Sequence, residues 1–171
     1  MASADRQEFE AIYADNIAFV WRCLRGLGVG PDQLDDAAQE VFLIVHRRIS
    51  DFRGLSSLRS WIYGILRNVA ANHRRSQRRQ VPHDVLSPNL VCTDASPLER
   101  LQAGEAVAFI REFLDGVSEG KRDVFVLAAI EQMSMPEVAQ VLDVPLNTAY
   151  TRLRDVRQEL QRALLRRRGK P

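Results

Sequence analysis

Near the C-terminus, Asn147, Thr151, Arg154 and Gln158 recur at steps of three and four. A helix advancing about 100° per residue gathers them on one outward stripe, flanked by Thr148, Tyr150, Arg152 and Arg157, with apolar Ala149, Leu153, Val156 and Leu160 opposite. Amides, short hydroxyls and arginines on one face can donate to base edges, and an arginine can bond bidentately to guanine in the major groove. The plain alternative is a solvated helix face. A second constellation comes earlier, where Asn68, Asn72, Arg75 and Arg79 follow one edge of an apolar stripe in line with Trp61, and Arg67, Arg74 and Arg78 lie further round. Amides beside an aromatic ring, backed by arginines, suit unpaired bases and sugar-phosphate better than a smooth duplex. Trp61 sits on the edge of the stripe, a position that equally fits a core anchor.

The charge pattern agrees with two meetings with a polyanion. Residues 1–40 are acidic, 41–80 carry nine arginines against one acid, 81–120 are acidic again, and 121–171 are basic. Lysine occurs only at 121 and 170, and arginine is the cation better suited to planar, multi-donor recognition. In 171 residues, 46% hydrophobic and 27% charged, there is material for one ordinary domain or two small ones, and nothing of a low-complexity chain. The longest apolar runs, Val41–Val45 and Val124–Ile130, are far too short to span a bilayer. The opening MASADRQEFE is polar and acidic, unlike a signal peptide. A soluble, cytoplasmic protein is expected. Cys23 and Cys92 form no CxxC pair, Cys23 reads as a buried small hydrophobe, and the His83–Asp84 pair lies between Pro82 and Pro88 rather than on a helix that could fix ligands. A metal-dependent hydrolase is therefore disfavoured. No metal, cofactor or small-molecule substrate is expected.

The elements that must hold these residues are helices. Phe9, Ile12, Tyr13, Val20, Leu24 and Leu27 form one stripe, ended by Gly26, Gly28, Gly30 and Pro31; Leu34, Ala38, Val41, Phe42, Val45 and Ile49 form a second; Leu58, Trp61, Ile62, Ile65, Leu66 and Val69 form a third. The stretch 81–97, with three prolines, reads as a flexible linker. Ser96, Pro97 and Glu99 then signal a helix start, and Ala106, Phe109, Ile110, Phe113, Leu114 and Val117 continue it. Ser118 offers a cap for a helix through Val124, Leu127, Ala128 and Ile130, and Ser134 with Glu137 a capping box for the short helix Glu137–Leu142. A turn at 143–145 leads to the long last helix, so Met133–Leu160 has the plan of a helix-turn-helix, with Ala139 at the close approach and Val144 in the turn. The fold class is all-α, two small helical domains (5–80 and 98–168) joined by the linker 81–97.

Three segments, DDAAQEVFLIVHRR (35–48), FRGLSSLRSWIYGILRNVAANHRR (52–75) and MSMPEVAQVLDVPLNTAYTRLRDVRQEL (133–160), together resemble the bacterial extracytoplasmic-function (ECF) sigma factors, minimal two-domain members of the primary sigma family, in the family's order. The resemblance implies a non-enzymatic initiation factor that directs core RNA polymerase to promoter DNA. It implies that Asp36, Gln39, Glu40 and Phe42 lie on the helix docking against polymerase. Phe52, Arg53, Ser60, Trp61, Asn68, Asn72 and Arg75 would read the minus-ten element by capturing an unpaired, flipped base. Asn147, Thr148, Tyr150, Thr151, Arg152 and Arg154 would read the minus-thirty-five element as duplex. Tyr150 and Asp155 depart from the family's usual basic residues; Asp155 could accept from cytosine or pair with Arg152. An anti-sigma factor, often membrane-bound in such systems, is an expected partner, and the free protein is expected to be a monomer. A stand-alone helix-turn-helix regulator remains the alternative, although it leaves the first two segments unexplained.

Overall fold

The computed structural model describes residues 2–79 and 97–168. Among them are α1 (Ala2–Gly26), α2 (Leu34–Arg48), α3 (Leu58–Arg79), α4 (Pro97–Asp115), α5 (Glu119–Phe125), α6 (Met135–Leu142) and α7 (Leu146–Arg168), and no strand. The all-α expectation holds. Most of the linker, with Cys92, His83 and Asp84, lies outside the described residues.

The first body is α1–α3. Phe19, Val20, Cys23 and Leu24 of α1 are buried against Leu34, Ala37, Val41 and Val45 of α2 and against Ile62, Tyr63, Leu66 and Val69 of α3. The chain leaves α1 through a Schellman turn: Val29 N–H bonds the Leu24 carbonyl at 3.0 Å and Gly28 N–H the Arg25 carbonyl at 3.0 Å, with Gly28 at φ +90°. A side chain at Gly28 would be strained, and its Cβ would come within 2.8 Å of Asp115 Oδ1. Asp35 and Asp36 occupy the first turn of α2 and His46, Arg47 and Arg48 its last, both favourable to the helix dipole. Ser57 Oγ accepts the Ser60 N–H at 3.1 Å and so caps α3.

The second body is α4–α7. Ser118 starts α5 without a side-chain capping bond. The helix expected to run through Ile130 instead passes at Val126–Ile130 into one π-helical turn, and Gln132 then takes φ +54° to reverse the chain. The extra residue per turn breaks the α period, and apolar spacing alone does not reveal it. The capping box opens α6 two residues earlier than expected: Glu137 accepts the Ser134 N–H at 2.8 Å and its hydroxyl at 2.6 Å. These bonds hold the Glu137 carboxyl below the usual carboxylate range. α6 ends in a second Schellman turn, with Val144 N–H on the Ala139 carbonyl at 3.0 Å and Asp143 in the left-handed region at φ +50°. Ala139 is buried and Val144 half-buried. Because Asp143 stands where glycine is favoured, Asp143→Gly is expected to leave stability unchanged or slightly raised, whereas Asp143→Val should cost about 1–2 kcal/mol in chemical denaturation.

The two bodies pack on each other, and their buried apolar residues run together into one continuous core. The sequence carried no signal for this contact.

Candidate nucleic-acid interface

α6 and α7 meet as a helix-turn-helix, with Val138 and Ala139 buried on α6 and Ala149, Leu153 and Val156 buried on α7. That packing turns Asn147, Tyr150, Thr151 and Arg154 outward together; Gln158 is also exposed, and Tyr150 remains 53% accessible. Arg154 is tied only loosely, at 3.8 Å from Asp155, so the aspartate pairs with this neighbour rather than with Arg152. Thr148 is half-buried. Arg152 turns away from the outward face: its guanidinium covers Gly120 on α5, where a Cβ would approach Cζ to 3.0 Å. The missing side chain at Gly120 leaves room for that orientation, and helical spacing cannot report it. Beside the outward face, Met133, Met135, Tyr150, Leu153, Arg154 and Arg157 line an open groove of about 550 Å³.

On α3, Asn72 and Arg75 are exposed and joined by a hydrogen bond from Arg75 Nη2 to Asn72 Oδ1. Asn68 is exposed at the rim of a cleft of about 250 Å³ that faces the second body. Trp61 is half-buried and stacks obliquely on Phe52, with ring centroids 5.6 Å apart. It thus anchors the loop before α3 while keeping one edge accessible. Arg53 and Gly54 project from that loop, Ser60 shares a 2.7 Å hydrogen bond with Ser57, and Leu55 is 88% exposed at its tip. Leu55 belongs to no apolar stripe, so the spacing of the sequence does not mark it.

On the opposite side, α1 and α2 form a groove of about 700 Å³ lined by Phe9, Tyr13, Trp21, Phe42, Leu43 and His46. Asp36 and Gln39 are exposed beside it. Phe42 is only 4% accessible and packs on Tyr13 at 4.6 Å, so it forms the floor; Leu43, 50% exposed, is the apolar side chain standing at its edge. The alternation of Phe42 and Leu43 around the helix was the available signal for Leu43. Glu40 is partly spoken for: His73 Nε2 lies 3.0 Å from its carboxylate while His73 Nδ1 faces Gln33 Oε1 at 3.2 Å, which braces α2 against α3.

Among the described residues no cluster of three or more histidine, cysteine or acidic side chains could hold a metal ion. Cys23 is fully buried, and burial pushes its thiol well up.

Residues 12–80 match the family profile for sigma-70 region 2 and residues 108–166 the profile for sigma-70 region 4. Among similar proteins, the ECF RNA polymerase sigma-E factor of Haemophilus influenzae is 25% identical over 142 residues, covering 78% of this chain and 75% of that one. The ECF RNA polymerase sigma factor SigW of Bacillus subtilis is 25% identical over 162 residues, covering 90% and 85%. This chain belongs to the ECF sigma factors of the sigma-70 family. The fold of this sigma factor is shared with CnrH, solved in complex with the cytosolic domain of CnrY, at TM-score 0.71 and 24% identity over 95% of this chain and 91% of that one. It is also shared with the sigma factor RpoE of Bartonella quintana, solved with the anti-sigma factor NepR, at TM-score 0.70 and 18% identity over 92% and 97%. Region 2 corresponds to α1–α3 with the Phe52–Asn72 constellation. Region 4 holds the helix-turn-helix. A stand-alone helix-turn-helix regulator accounts for the second alone.

Proposed function

We propose that this ECF sigma factor works in the cytoplasm, where it carries core RNA polymerase to its promoters through three surfaces. Its domain of residues 5–80 docks on polymerase by the α1–α2 groove, with Asp36, Gln39 and Glu40 beside an apolar patch floored by Phe42 and crested by Leu43. The loop and helix face from Phe52 and Arg53 through Ser60, Trp61, Asn68, Asn72 and Arg75 hold an unpaired strand of the minus-ten element. Capture of a flipped base offsets part of the unstacking cost, so melting needs no covalent chemistry. The domain of residues 98–168 places Asn147, Tyr150, Thr151 and Arg154 in the major groove of the minus-thirty-five duplex, while Thr148 and Arg152 border it or support it from behind. A protein acting through polymerase in this way is a monomer when free, and an anti-sigma factor, as in the complex of the sigma factor RpoE with NepR, restrains it.

The observation that carries this reading is the ordered match of both sigma-70 regions to one chain. Run-off transcription with purified core polymerase on promoter fragments, including the DNA upstream of its own gene, tests it. Selective transcripts that depend on this chain are expected, and polymerase that gains no promoter selectivity would refute the assignment. Leu43→Ala should weaken association with core polymerase by about 1 kcal/mol, roughly fivefold, in a binding titration, and leave the fold unchanged because the side chain is half outside it.

A further inference from the structure

α7 carries its hydrogen-bond donors and its exposed apolar side chains on the same side. Leu146 and Tyr150 stand one turn apart at the start of the helix, 41% and 53% exposed, while Ala149, Leu153 and Val156 are buried against the rest of the second body. Asn147, Thr151 and Arg154 share that outward sector and are exposed with them. Tyr150 also belongs to the wall of the open groove that contains Met133, Met135 and Leu153. Both methionines are half-buried. The hydroxyl on that wall, Ser134, is engaged with the Glu137 carboxylate at 2.6 Å, and the cations lining the groove, Arg154 and Arg157, come one and two turns further along α7. The surroundings of the tyrosine ring are therefore mainly apolar.

Against DNA these two kinds of side chain ask for different partners. An arginine meets guanine or phosphate with its N–H donors. A leucine and a tyrosine ring gain only where water leaves another apolar group, and the apolar group that the major groove presents is the C5-methyl of thymine. A phosphate would take a single hydrogen bond from the Tyr150 hydroxyl and leave the ring and Leu146 in water. We propose that Tyr150 is the residue that selects a thymine in the minus-thirty-five element through its C5-methyl group, with Leu146 completing the apolar seat. Arg154 lies four residues on, a rise of ~6 Å or about two base-pair steps, so the thymine sits about two base pairs from the base that Arg154 reads. This rests on the reading of α7 as the helix in the major groove. It goes beyond that reading by naming the base, and the atom on it, that one side chain recognises.

Replacing each thymine of the upstream element in turn by uracil removes the methyl and keeps pairing and every hydrogen-bonding atom. Binding of the complex of this chain with core polymerase, on a promoter it selects, is then titrated. One position is expected to lose about fourfold with the parent chain, the worth of one buried methyl, and to lose nothing further with Tyr150→Ala. Tyr150→Phe, which keeps the ring and drops the hydroxyl, should retain the methyl dependence. The proposal is overturned if no thymine methyl matters to the parent, or if the dependence survives in Tyr150→Ala. Equal losses for Tyr150→Phe and Tyr150→Ala on every upstream sequence would also overturn it, by placing the hydroxyl on a phosphate. A complex that selects no promoter at all removes the proposed function and this inference together, whereas one that selects its promoter and is indifferent to every methyl removes this inference alone.

Discussion

Arg122→Ala is expected to destabilise the second body by about 3 kcal/mol. Arg122 is 3% exposed and has no carboxylate partner among the described residues; its guanidinium donates to the carbonyls of Leu114 at 2.7 Å, Asp115 at 3.2 Å and Val117 at 3.0 Å. These are the last acceptors of α4 and the turn beyond it, the negative pole of a helix whose terminal carbonyls have no partners within it. Truncation removes three charge-assisted bonds and leaves buried acceptors unsatisfied. Arg122→Lys keeps the charge but not the fork, so it should recover only part of the loss. Urea denaturation followed by circular dichroism checks both. A midpoint unchanged in Arg122→Ala would show that the α4–α5 corner is held by Leu114, Val117 and Val124 alone.

Arg154→Ala should lower the affinity of the polymerase complex for its own minus-thirty-five sequence by about 1–3 kcal/mol, with a much smaller effect on promoters altered at the contacted base. Arg154 is exposed, sits among Tyr150, Thr151 and Gln158, and among the described residues has only the 3.8 Å approach of Asp155 to hold it. It is free to present both guanidinium edges. Arg154→Lys should behave nearly as badly, since an ammonium cannot reproduce the bidentate geometry. Binding titrations against a panel of single-base upstream variants measure this. A loss equal on every upstream sequence, with a shallower salt dependence, would reassign Arg154 to the phosphate backbone.

The helices were legible because each buries one stripe: Leu34, Ala38, Val41 and Val45, or Ala149, Leu153 and Val156, announce both a helix and its inward face. Capping residues and prolines set the starts of α4, α6 and α7 to within about two residues. What stayed hidden depended on partners distant in sequence. Helical spacing puts Arg152 among the outward donors but does not report that its guanidinium lies over Gly120, and Arg122 reads as one more cation in a basic segment although, among the described residues, it is buried to 3% exposure beside Asp123. The π-helical turn at Val126–Ile130 uses the same apolar residues an α-helix would. The ion pairs across the two bodies join residues far apart in the chain, Arg22 to Glu131 and Arg67 to Asp123, and no local pattern marks either member.

The imidazole of His73, lodged between Gln33 and Glu40, ties α2, the helix proposed to face polymerase, to α3, the helix proposed to read the strand, as parts of one frame. Under the proposed assignment, force applied where polymerase seats against α2 would have a short, hydrogen-bonded route into α3, so recruitment and the opening of DNA would run through the same beam instead of being separate events in separate modules.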